Sequence, residues 1–190
     1  MLVKEKKLIE KFFKRAQIAQ KMAVGNARFD LVTECDGKYF LVDGFRVLIF
    51  TENPDLPTGG TVPRLYMDND NDFDFQDSSG NFVEKEIPYT LEQIKKWWKW
   101  AEKRRMPFSL GVLVNFYSGD KYIAINGKFL IEAMELTKSN IIQFTNKGKM
   151  RIKSADGRFT YIIMPIVEET KKPEINKVEH CMTYIEEDCV

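Results

Sequence analysis

Residues 28–51 read RFDLVTECDGKYFLVDGFRVLIFT, and the punctuation of this stretch decides the fold. Three apolar runs, Arg28–Cys35, Lys38–Val42 and Phe45–Thr51, are separated by Asp36-Gly37 and Asp43-Gly44. An Asp-Gly pair between apolar runs favours the backbone of a tight hairpin turn, so the stretch predicts three consecutive antiparallel strands. Residues 141–165, IIQFTNKGKMRIKSADGRFTYIIMP, repeat the pattern. Here the strands are Ile141–Thr145, Lys149–Lys153 and Phe159–Pro165, joined by Asn146-Lys147-Gly148 and Asp156-Gly157.

A helix precedes each set of strands. From Val3 to Ala23, Leu8, Ile9, Phe12, Phe13, Ala16, Ala19, Met22 and Ala23 share one face, and Lys7, Lys11, Lys14 and Lys21 fill the other. That spacing predicts an amphipathic helix stopped by Gly25-Asn26. A shorter helix, Lys128–Thr137, carries Phe129, Leu130, Ala133 and Met134 on one side. A helix followed by strands, occurring twice, predicts two pseudo-symmetric halves of one α+β domain, since a solenoid needs three or more stacked units.

Residues 52–107 read as an insertion. Pro54, Pro57, Gly59-Gly60 and Pro63 open a loop, residues 68–79 are polar and acidic, and short strands are predicted near Thr61–Met67 and Phe82–Ile87. A second helix begins after Thr90, which with Gln93 forms a capping box, and runs to about Arg105. A hairpin, Leu110–Tyr117 and Lys121–Ile125, returns the chain to the second half. The domain is thus expected to span 1–166, with 167–190 as a loosely held tail.

The chain has 190 residues, 29 basic and 28 acidic side chains, and a net charge of +1. That balance hides blocks. Residues 1–25 hold seven bases against two acids (+5), 87–105 six against two (+4), and 121–165 eight against three (+5). Residues 52–86 hold nine acids against two bases (−7), and 166–190 seven against three (−4). Segmental charge says more about partners than the sum does, and here it readmits nucleic acid. No run of eighteen apolar residues is present to span a bilayer. No signal peptide is visible, and Cys35, Cys181 and Cys189 are too few for a disulfide framework, so a cytoplasmic location is expected.

The segment Tyr117-Ser118-Gly119 and the run from Ile125 to Met134 resemble the approach to the second helix in the last domain of the bacterial sliding clamp, the ring-shaped processivity subunit of the replicative polymerase. Ile141 to Phe144 and Tyr161-Ile162-Ile163-Met164-Pro165-Ile166 resemble its closing strands, where the family shows Tyr-x-x-Met-Pro-Met. Asp43-Gly44-Phe45-Arg46 is similar to the family's Asp-Gly-x-Arg. The resemblance covers residues 1–50 and 108–166. It implies a DNA-clamp-like fold, and the expected function is a non-enzymatic accessory role on DNA, in replication of phage or mobile-element DNA, with no cofactor. Clamp chains carry three such domains and form rings, so encircling a duplex would require several copies of this chain. Residues 52–107 have no counterpart in that family.

Eight lysines are the candidate DNA contacts: Lys7, Lys11, Lys14 and Lys21 on the first helix, and Lys95, Lys96, Lys99 and Lys103 on the second. They suit neutralisation of phosphates without sequence readout, although a solvated helix face has the same appearance. Trp97 and Trp98 read as core, whereas Trp100 lies at the border of the basic face and is a candidate partner contact. Met164, Pro165 and Ile166 match the clamp segment that helps capture short peptides of replication proteins, which makes them candidate partner contacts through the resemblance. The alternative function is a protein-interaction module that keeps the clamp fold without binding DNA, through Trp100 and the acidic loop. No metal is expected. Asp68, Asp70 and Asp72 imitate a calcium loop, but Phe73 and Ser79 stand where its glycine and glutamate belong. His180, Cys181 and Cys189 lack the paired spacing of a zinc site. No nucleophile–base pair or glycine-rich phosphate loop is evident.

Overall fold

The computed structural model describes residues 1–22, 29–59, 84–87, 89–103, 113–118, 121–144 and 149–164. In chain order the elements are α1 (Val3–Gln20), β1 (Thr33–Cys35), β2 (Lys38–Val42), β3 (Arg46–Phe50), β4 (Glu84–Glu86), α2 (Leu91–Lys103), β5 (Leu113–Ser118), β6 (Lys121–Asn126), α3 (Gly127–Thr137), β7 (Ile141–Phe144), β8 (Met150–Lys153) and β9 (Phe159–Ile163). This is a mixed α+β architecture. One sheet has seven strands in the order β1-β2-β3-β9-β8-β7-β4, and β5 and β6 form a separate hairpin. Each pairing between these strands is antiparallel.

The turns make the sheet. Asp36 and Gly37 both take left-handed backbone angles, φ 50° and 72°, in a two-residue turn that pairs Cys35 with Lys38. Two successive positive φ values give the twist that matches a right-twisted hairpin, which is why Asp-Gly serves there. Between β2 and β3, the Asp43 carboxylate accepts from the backbone N–H groups of Phe45 (3.1 Å) and Arg46 (2.9 Å), with Gly44 at φ 87°. The two meanders, β1-β2-β3 and β7-β8-β9, then join edge to edge through β3 and β9, from Arg46↔Ile163 to Phe50↔Phe159.

Strand alternation sorts side chains into two layers. Leu41, Leu48, Phe50, Ile142, Met150, Ile152, Phe159, Tyr161 and Ile163 face the main core, where Ile9, Phe12 and Phe13 of α1, Ile94 of α2 and Leu130, Ala133, Met134 and Leu136 of α3 cover them. Phe40, Val42, Val47, Ile49 and Ile162 form a smaller buried cluster on the opposite face, with Phe29 and Cys35 packed against it. All five residues of β3 are therefore buried, which explains why Val47 to Phe50, after Arg46, run apolar without alternation. Helix α1 packs on β2, α3 packs on β8 and β9, and both α1 and α2 pack on α3.

Several boundaries differ from those expected. Helix α1 ends at Gln20, and Met22, assigned above to its apolar face, is 76% exposed. Strand β1 starts only at Thr33, because Val32 bonds instead to a crossing segment: its N–H donates to Pro57 O and its carbonyl accepts from Gly59 N, both at 2.9 Å. Of the strand expected near Phe82–Ile87, β4 holds Glu84–Glu86, while Phe82 and Val83 lie outside the described residues. Gly25-Asn26, the strand near Thr61–Met67 and the tail 167–190 lie outside the described residues. Among the described residues no helix is long and apolar enough to cross a membrane.

Candidate nucleic-acid interface

Beneath the helices lies a buried charge network that begins at the Asp43-Gly44-Phe45-Arg46 turn. The Arg46 side chain is 1% exposed. Its Nε donates to Asp43 Oδ2 at 2.7 Å and its Nη2 to the same oxygen, while Nη1 donates to Glu132 Oε2 at 2.7 Å and to the Tyr161 hydroxyl at 3.0 Å. The guanidinium carbon lies 4.5 Å from the ring centroid of Phe12 and 3.9 Å from that of Phe129. Two aromatic faces and three oxygen partners thus replace the water that this cation has lost.

Glu132 ties the network to the surface. Arg15 Nη1 donates to both of its oxygens, at 2.6 and 2.8 Å, and the Lys11 ammonium stands 3.2 Å from Oε1. Burial alone would raise the Glu132 carboxyl, but the charges of Arg46, Arg15 and Lys11 outweigh it and hold the group below its ordinary value. Burial is also the main reason the Tyr161 hydroxyl is held above the usual tyrosine range. Arg158 makes a second tie at the other end of α1. It donates to Glu5 and Glu52 at 3.1 Å each and to Asp156 at 2.7 Å, joining the first turn of α1 to the β8–β9 turn.

On α3, Glu135 lies three residues beyond Glu132 and serves the other neighbouring helix. Lys95 of α2 stands 2.8 Å from Glu135 Oε1 and 3.4 Å from Glu92 Oε1. The Glu135 hydrogen bond holds the Lys95 ammonium above the ordinary lysine range, against the opposing effect of burial. Helix α2 itself starts on the expected capping box. Thr90 N–H donates to Gln93 Oε1 at 2.8 Å, and Gln93 N–H donates to Thr90 Oγ1 at 3.2 Å.

The eight candidate lysines therefore divide. Lys7, Lys14 and Lys21 on or just after α1, and Lys96, Lys99 and Lys103 on α2, are exposed. Lys4 on α1 and Lys128 and Lys138 at the two ends of α3 add to the exposed basic surface. Lys11 and Lys95 are drawn into ion pairs with α3. Two tryptophans are partly drawn inward too, the side chain of Trp97 lying outside what the structure describes. Trp98 packs on the main core as expected, and Trp100 packs on it as well. Met164 is half-buried past the end of β9, its N–H donating to Phe45 O at 2.8 Å, while Pro165 and Ile166 lie outside the described residues. The acidic run with Asp68, Asp70 and Asp72, and the trio His180, Cys181 and Cys189, lie outside them too. Among the described residues no group of His, Cys, Asp and Glu side chains is placed to hold a metal ion.

Reading the sequence alone missed Arg15, Arg46 and Glu132 as one unit. Its only trace is Asp43-Gly44-Phe45-Arg46, a turn motif whose arginine points inward rather than to solvent. Compared with protein-family models, with curated proteins and with solved structures, the chain finds no match.

Proposed function

We propose that this chain is a non-enzymatic DNA-associated accessory protein built on a sliding-clamp-like domain, which contacts phosphates without reading sequence. The observation that carries the proposal is the exposed basic surface of the helices: Lys4, Lys7, Lys14 and Lys21, then Lys96, Lys99 and Lys103, none of them ion-paired among the described residues. The strand order supports the clamp-like reading, since two meanders joined through β3 and β9, with α1 and α3 over the same face, are what two helix-plus-strands halves would build. Activity in replication of phage or mobile-element DNA, and assembly of several copies around a duplex, belong to the same proposal.

Mobility shift with a nonspecific duplex tests it. Six phosphate contacts predict an affinity loss of about 10³-fold between roughly 50 and 200 mM salt. Charge reversal of Lys7, Lys14 and Lys21, or of Lys96, Lys99 and Lys103, is expected to weaken binding for every duplex sequence alike. No shift at low salt, or a shift that neither triple variant changes, refutes the proposal.

A further inference from the structure

The two glutamates of α3 stand between its basic neighbours, and their pairing subtracts charge from the surface just described. Glu132 takes Lys11 of α1 at 3.2 Å, and Glu135 takes Lys95 of α2 at 2.8 Å. Neither lysine is sealed away, since their side chains remain 52% and 28% exposed. Both lie within reach of a polyanion that could displace a carboxylate. The glutamates are not equivalent. Glu132 also holds Arg15 and the buried Arg46, so its oxygens are committed to the core. Among the described residues, the Glu135 side chain pairs only with Lys95.

We infer that Glu135 is an internal competitor for phosphate, withholding Lys95 from DNA and setting how many lysines of α2 a bound polyanion can recruit. The inference rests on the DNA-binding reading above and concerns the regulation of that same surface. A lysine held by a carboxylate neutralises no phosphate and so releases no counterion from the DNA, which lowers the salt dependence of binding. Removing Glu135 frees one ammonium. The slope of log K against log salt should then steepen by about 0.9 on duplex DNA.

Glu92 stands 3.4 Å from Lys95 and would take over the ammonium if Glu135 were lost. The experiment is therefore run in a Glu92→Gln background. Duplex affinity is measured across a salt series for E92Q, E92Q/E135Q and E92Q/E135Q/K95M. Glutamine keeps the helix propensity of α3, and Glu135→Ala provides a second form of the same removal. The expected result is a steeper slope in E92Q/E135Q that returns to the E92Q value when Lys95 becomes Met. An unchanged slope in E92Q/E135Q overturns the inference, because Lys95 would then be contacting phosphate already or not at all. A steeper slope that persists in the triple variant overturns it too, since the added charge would be acting at long range rather than through Lys95. Absence of duplex binding by the unaltered chain at low salt overturns the DNA-binding reading itself, a result distinct from either.

Discussion

A guanidinium removed from water costs several kcal/mol unless its charge and its donors are both met, and Arg46 meets these conditions with groups from three elements and the turn before it. Asp43 precedes it in the turn, Glu132 comes from α3, Tyr161 from β9, and the Phe12 and Phe129 rings come from α1 and α3. The residue is therefore a junction rather than a surface cation. Arg46→Ala leaves two carboxylates, Asp43 and Glu132, without their shared cation, and a loss of about 3–5 kcal/mol is expected in urea unfolding. Arg46→Lys should recover little of it, because an ammonium cannot span Asp43 and Glu132 as a planar fork does. The sequence shows the turn that carries Arg46 but not its destination. Nothing in a linear string brings residue 46 beside residue 132, and a surface arginine in a hairpin has the same local spelling.

At the scale of elements, local chemistry and tertiary pairing had different shares. The capping box of α2 and the Asp-Gly turns are short-range devices written in neighbouring residues, and they stand where the sequence puts them. The start of β1 depends on residues 57–59, and the exposure of Met22 on what packs beside the end of α1. Neither can be read from periodicity. The β1–β2 turn offers a direct test of the short-range share. Gly37 stands at φ 72° with open space around the position where a Cβ would sit, so any penalty there comes from the backbone and not from a clash. Gly37→Val is expected to cost about 1–2 kcal/mol in thermal unfolding. Gly37→Asn, which tolerates left-handed angles, should cost markedly less.

The molecule as a whole is held by ties that cross between α1, α3 and the sheet, and these ties titrate. Glu132 is held below its ordinary carboxyl value of 4.5 by Arg46, Arg15 and Lys11 against the effect of burial. The unfolded chain therefore binds its proton at a higher pH than the folded one, and the stability the pair contributes is complete above 4.5. It is lost as pH falls from there through the folded value. The expected outcome is an acid-induced fall in stability that is shallower in Glu132→Gln, measured by denaturant unfolding between about pH 5 and 2. A variant with the same acid slope as the parent chain would show that Glu132 is not the group responsible.

The seam between β3 and β9 has a consequence for time as well as for energy. Arg46 and Tyr161, which bond across it, are 115 residues apart in the chain. A nascent chain thus completes β3, apolar on both faces, long before its partner strand exists. Closure of so distant a contact is slow, because the entropy of the intervening loop must be lost before the pairing compensates. Until β9 arrives, β3 is an unpaired apolar edge of the kind that recruits other chains. The strand that fastens the finished sheet is thus the one most exposed to aggregation during synthesis.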